Sequence, residues 1–234
     1  MPSVSRAQSS FLEKVGRSKM PERGIVILGG VGVAAVKSDI CGLPQCNNFG
    51  PAFTVGALYK TSPYLAYGAN LGYLRLGATE KDPNRPLNIT FQTEVVEFSG
   101  TVVLNLLDSY AGSGNYRSAR KRFVVPYIRG GGGLVYYTAT SFPGEGDLDD
   151  SQVTYDPVRK YPAISAVIPL GGGLRFRFSD EFSIAPELMY QLTFADYLDN
   201  LEKDSNNATD HYMVAFVKLM YTPVIKNKIL TRKY

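Results

Sequence analysis

The chain has 234 residues, enough for one barrel or one ordinary domain, and a formal net charge of +4. Hydrophobic residues make up 44% and charged residues 20%, which excludes a disordered chain. The charge is too mild to imply nucleic acid, and no RRM, zinc-finger or helix-turn-helix pattern occurs.

Aromatic usage is skewed, with 16 Tyr and 12 Phe against no Trp, as suits strands and membrane-interface belts. The longest mainly apolar run, Ala163 to Leu174, is too short for a helical span and is broken by Pro169 and Gly171 to Gly173. Residues 1–23 are polar and lack the apolar core of an export signal. Arg6-Ala7-Gln8 reads as the tail of a cleavage region, with the mature chain expected to begin near Gln8.

Gly24 to Asp39, GIVILGGVGVAAVKSD, contains Gly30-x-Gly32-x-x-Ala35, a dinucleotide-binding fingerprint in isolation. That motif requires a helix and then an acidic residue roughly twenty positions on. Neither follows, so the glycines read as points where a curved sheet bends or packs closely. Cys41 and Cys46 lie in CGLPQC, a Gly/Pro/Asn loop without redox or zinc spacing. A small-loop disulfide in an oxidising compartment is expected.

From Ala52 onward the sequence alternates with period two, the signature of strands with one greasy face. Strands are expected at Ala52–Lys60, Tyr64–Gly77, Phe91–Leu107, Phe123–Thr140, Ala163–Phe178, Phe182–Phe194 and Tyr212–Val224, in addition to the first. The clearest is FSIAPELMYQLTF, Phe182 to Phe194. Phe182, Ile184, Pro186, Leu188, Tyr190, Leu192 and Phe194 share one parity, with aromatics at both ends. Its length exceeds the roughly five or six residues of an ordinary strand and matches the nine to eleven of a membrane-spanning one. Thr61-Ser62-Pro63 and Ser179-Asp180 read as tight turns. Pro143–Lys160 is the longest loop; its Asp147, Asp149 and Asp150 lack the full calcium-loop pattern and read as a solvated acidic stretch.

Eight strands joined alternately by long and shorter connections predict an all-β, eight-stranded, antiparallel up-and-down transmembrane barrel over 24–224, preceded by the polar segment 1–23 and followed by a basic tail, 225–234. On that architecture both termini are periplasmic, in a bacterial outer membrane, and outer-membrane lipid is the first partner. A soluble lipocalin-like or sandwich fold is the alternative. Lys60, Glu97, Arg129, Arg175, Arg177, Glu187 and Lys218 fall on the inward parity, where charges must pair. An ion-paired plug is expected, with Glu97 and Glu187 set against the arginines, and not a channel. His211, the single His, has no Ser partner at catalytic spacing, so no enzyme, cofactor, metal or small-molecule substrate is expected. The connection Asp108–Lys121 is longer than a barrel needs. Its Tyr110, Tyr116, Arg117, Arg120 and Lys121, with Lys226, Lys228, Arg232 and Lys233 of the tail, form a candidate periplasmic docking rim.

VVEFSGTVVLNLLDSY, Val95 to Tyr110, resembles a strand of the Bacteroidetes barrels related to the PorG component of the type IX secretion system. Gly50–Tyr73, Phe123–Tyr137 and Ile168–Asn200 are similar to the same family, and the resemblance spans roughly residues 24 to 224. It implies a structural role: an outer-membrane anchor for a periplasmic ring of lipoprotein and partner subunits that supports secretion. A surface-facing binding or adhesion barrel that uses its external loops is the alternative, and a lipid-modifying enzyme a distant third.

Overall fold

The computed structural model describes residues 24–37, 46–80, 89–107, 122–144, 148, 153–157, 159–179, 181–195, 198–200 and 210–223. Eight antiparallel strands each pair with the next, and β1 pairs with β8, so the sheet closes into a barrel. They are β1 (Gly24–Lys37), β2 (Gly50–Lys60), β3 (Leu65–Thr79), β4 (Ile89–Asn105), β5 (Val124–Pro143), β6 (Ala163–Arg177), β7 (Phe182–Thr193) and β8 (His211–Tyr221). The strands anticipated from the period-two pattern are all present, with ends displaced by up to three residues. The largest displacements lengthen β5 to Pro143 and shorten β8 to Tyr221. β4 and β5 pair from Asn105↔Tyr127 to Ile89↔Pro143, a ladder that continues past the alternating apolar stretch where side chains no longer report the strand. Gly30 and Gly32 sit inside β1, within its ladder to β2, so the dinucleotide fingerprint has no structural counterpart.

Closure requires tilted strands, and the stagger can be read from the pairing. A walk from Ile25 passes through Tyr59, Tyr67, Val102, Gly130, Leu170, Tyr190 and Met213 to Ala35, ten residues further along β1. Eight strands at such a tilt leave an interior that side chains can fill.

The short connections share one end with the start of β1 and the end of β8. In Thr61–Tyr64, the backbone N–H groups of Thr61 and Ser62 both donate to Leu65 O at 3.1 Å, and Leu65 N donates to Ser62 Oγ at 2.9 Å. The β6–β7 turn repeats this device: Phe178 and Ser179 N–H donate to Phe182 O, and Phe182 N donates to Ser179 Oγ at 2.9 Å. A serine hydroxyl thus satisfies the returning strand's first amide at both tight turns. The connections after β1, β3, β5 and β7 lie at the other end.

The lumen is layered. Near the short-turn end, Val26, Leu28, Leu58, Ala66, Val103, Tyr127, Ala185 and Met220 form one buried apolar cluster. A larger one, including Phe91, Val95, Tyr137, Tyr212, Val214 and Phe216, fills the long-loop half. Buried polar side chains lie between them, among them Thr54, Asn70, Ser99, Thr101, Arg129, Glu187 and Lys218. Inward glycines make room for this layer. A Cβ on Gly30 would meet Lys218 Cγ at 2.7 Å, and one on Gly173 would meet Tyr127 Oη and Glu187 Cα at 3.0 Å. Gly30 thus leaves space for the Lys218 side chain, while Gly32, Gly171 and Gly173 lie against the carbonyls of the adjacent strand.

Candidate functional site

Glu187, on β7, is the centre of the polar layer. Its carboxylate accepts from Arg129 Nη1 at 3.2 Å to both oxygens, from Tyr127 Oη at 2.7 Å and from Lys218 Nζ. Arg129 also donates from Nε and Nη2 to Thr101 Oγ1, each at 3.0 Å. The Arg129 and Lys218 side chains are 3% exposed and that of Glu187 0%, so this pairing takes place away from water. A buried carboxylate met by three donors satisfies the requirement that desolvated charge be paired.

Glu97, on β4, departs from expectation. Its Oε2 accepts from Tyr212 Oη of β8 at 2.9 Å, so its hydrogen-bond partner across the lumen is a phenol and not an arginine. Arg129, one ladder over, is taken by Glu187 and Thr101. Alternation identified Glu97 as inward but gave no reach across the lumen, and Tyr212 carried no charge to draw notice. Lys60 and Arg175 are buried towards the short-turn end, with the Arg175 guanidinium 5.5 Å from the Tyr127 ring centroid. Arg177, the last residue of β6, is half-buried at the rim and not in the central layer.

A cavity of about 30 Å³ is lined by Thr54, Asn70, Glu97, Arg129, Glu187, Gln191 and Lys218, with neighbours from the apolar layers. That is room for one water or so, and far from a passage. At the long-loop end a strap crosses the mouth. Leu198, Asp199 and Asn200 are almost fully buried, and Asn200 adopts a left-handed φ of 56°. Leu198 N donates to Asp210 Oδ2 at 2.9 Å, Leu198 O accepts from Thr93 Oγ1, and Asn200 Nδ2 donates to Ser141 Oγ at 2.8 Å. The Asp210 carboxylate thus serves the strap. His211 sits on the outward side of β8 with its ring 5.8 Å from that of Tyr190.

The outer wall is apolar. Ile27, Val31, Val55, Leu71, Phe98, Leu134, Ile164, Leu188, Val217 and Leu219 are all at least half exposed. Aromatics gather towards both ends. At the short-turn end Phe123 packs edge-on against Phe176 and Phe178, with centroids 5.9 Å apart, and Phe182 lies 5.1 Å from Tyr221. Tyr73, Tyr136, Tyr190 and Phe194 occupy the other end. On β3 and β4 the outward apolar pairs run from Leu65↔Leu104 to Tyr73↔Val96, nine residues on each strand. The next outward pair, Arg75↔Glu94, is charged.

Cys46 is buried and disulfide-bonded. Cys41 lies outside the described residues, as do Asp147, Asp149 and Asp150 and the entire candidate rim: Tyr110, Tyr116, Arg117, Arg120, Lys121, Lys226, Lys228, Arg232 and Lys233.

No family model matches the chain, and no curated protein does. Solved structures resemble it in fold. Neisserial surface protein A aligns at 11% identity with a TM-score of 0.48, covering 86% of this chain and 97% of that one. Ail, the attachment invasion locus protein of Yersinia pestis, solved with the heparin analogue sucrose octasulfate, aligns at 14% identity and 0.48, over 86% and 99%. The N-terminal β-barrel domain of Pseudomonas aeruginosa OprF aligns at 13% identity and 0.42, over 86% and 100%. The chain's own pairing defines its class: a closed, eight-stranded, antiparallel up-and-down β-barrel.

Proposed function

We propose that the protein is a bacterial outer-membrane barrel that passes nothing through its lumen and works from its ends, as a membrane anchor and assembly component of a type IX-like secretion machine. The filled interior carries the non-conducting part of this reading: two apolar layers, the Glu187 cluster between them, and the strap over one mouth. The outer wall supports a membrane setting, because an exposed apolar band nine residues long, flanked by aromatics, matches the span and girdles of a bilayer-crossing strand. Reconstituted into planar lipid bilayers, the protein is expected to show no large steady conductance. A stable open pore would refute the sealed lumen.

The assembly role rests on the resemblance at Val95–Tyr110 and on the basic, Tyr-bearing connection and tail. In a barrel whose termini are periplasmic, both lie on the periplasmic side. Positive charge there steers an acidic partner, such as a ring lipoprotein or another secretion subunit. Reversing Arg117, Arg120 and Lys121 to Glu is expected to release the partner from native membranes while the barrel keeps its heat-dependent gel mobility. Unchanged co-purification, also after removal of Ile225–Tyr234, would refute docking.

The second reading is a surface-binding or adhesion barrel that uses the long-loop end. The strap favours it, since Leu198–Asn200 is buried and pinned by side chains from both β4 and β5 and so gives the β7–β8 connection a fixed anchor at that end. Loss of binding to host or matrix ligands on loop exchange, with periplasmic co-purification unaffected, would select it.

A further inference from the structure

One residue pair beyond the apolar band lies a pocket of about 140 Å³ on the outside of the barrel, where Asn48–Pro51 runs alongside the end of β3. Arg75 lines it, with Asn48, Phe49, Pro51, Gly77 and Gln92. Asn47 bridges to Ala78, and Asn48 N–H donates to Gly77 O at 2.9 Å, so the wall facing Arg75 is fixed by backbone pairing. Gly50 packs on the Arg75 carbonyl too closely for any Cβ. Phe49 stands 64% exposed at the rim.

Arg75 is poorly used by its surroundings. Its Nη2 reaches Glu94 Oε1 at 3.5 Å, a long contact, and Tyr73 Oη donates to the same oxygen at 3.1 Å. The Arg75 Nε is buried and has no hydrogen-bond partner among the described residues. A guanidinium is a planar fork suited to two oxygens of one oxyanion. Its position next to the aromatic end of the band is the level at which lipid phosphates lie. A lone anion would also face Glu94 and be repelled. A headgroup carrying a phosphate and, two carbons away, an ammonium meets both charges with the right sign.

We propose that Arg75 and Glu94 form a site for a zwitterionic phosphoethanolamine headgroup, with the phosphate on the Arg75 guanidinium, the ammonium on Glu94 and Phe49 as the apolar wall. The site rests on the membrane reading given above. The headgroup has two sources: a phosphatidylethanolamine, or a glycolipid decorated with phosphoethanolamine.

The test is native mass spectrometry of the full chain in dodecyl maltoside, titrated separately with dioleoyl-phosphatidylethanolamine, dioleoyl-phosphatidylglycerol and lipid A bearing phosphoethanolamine. The wild-type protein is expected to bind an ethanolamine lipid about tenfold more tightly than the glycerol lipid, the worth of a charge-assisted contact. Whichever ethanolamine lipid binds tighter identifies the source. Arg75→Gln should abolish the tight binding, and Glu94→Gln should reverse the preference towards phosphatidylglycerol. Equal binding of ethanolamine and glycerol lipids, or ethanolamine binding unchanged in Arg75→Gln, overturns the proposal. Heat-dependent gel mobility of each variant reports that the barrel has formed. Its absence in the wild-type protein would defeat the membrane reading, and this site with it.

Discussion

Glu187→Ala is expected to destabilise the folded barrel by about 3–5 kcal/mol, because it leaves Arg129 and Lys218 buried without their counter-charge. It also strips Tyr127 Oη of its acceptor. Glu97→Ala should cost less, about 1–3 kcal/mol, since it removes one hydrogen bond to Tyr212 and leaves a neutral phenol unpaired. Urea titration of vesicle-reconstituted protein, followed by tyrosine fluorescence and gel mobility, measures both. The same physics predicts a rescue: with Arg129→Met, Glu187→Leu and Lys218→Met together, and Glu97→Gln to remove the carboxylate that lines the same cavity, no uncompensated charge remains in the layer, and most of the stability should return. If Glu187→Ala costs no more than Glu97→Ala, Glu187 is not the centre of the lumen's electrostatics.

The second large effect belongs to the outer wall. Val217 is 54% exposed and pairs with Val31 on one side and Pro186 on the other, well inside the apolar band. Val217→Arg should cost about 2–4 kcal/mol in lipid vesicles, as expected for a cation on a barrel's lipid face near the bilayer midplane. In a soluble barrel the same change would put a charge into water and cost almost nothing. The measurement therefore separates a membrane wall from a wet one. A difference below 1 kcal/mol in vesicles, relative to about the same host stability, would contradict the membrane reading. Arg75, already charged and beyond the band, serves as the reference position: Arg75→Lys should leave vesicle stability almost unchanged.

The fold was legible because the code for a two-faced strand is local. Each residue of Phe182–Thr193 declares its side by parity, and the exposure along β7 follows that parity. Strand ends were less legible. At Ile89–Phe91 and Ala139–Phe142 both faces are covered near the long-loop mouth, so alternation fades although the ladder continues. Partnership across the lumen was legible only in part: Glu187 meets an arginine as expected, and Glu97 does not hydrogen-bond to one. The inward charges could be named from parity, but which meets which depends on a stagger that no single strand encodes. Hence Glu97 meets Tyr212, and Glu187 gathers Arg129, Tyr127 and Lys218. The strap was hidden for a different reason. Leu198-Asp199-Asn200 reads as part of a polar loop, and its burial depends on acceptors and donors from Thr93, Ser141 and Asp210, distant in sequence.

Those lumenal contacts share a direction. Glu97 to Tyr212 joins β4 to β8, Glu187 to Arg129 and Tyr127 joins β7 to β5, and the strap reaches from the β7–β8 connection to Thr93 of β4 and Ser141 of β5. In an eight-membered ring β4 and β8 stand on opposite sides, while β5 and β7 are separated by β6 alone, so their contact is a shorter chord. A closed ladder fixes a hoop's circumference but leaves it free to flatten into an ellipse. One strut across the full lumen, Glu97 to Tyr212, and the shorter braces from Glu187 and the strap restrict that freedom. The barrel is therefore braced across its lumen and able to hold its outline when pushed or pulled from the side.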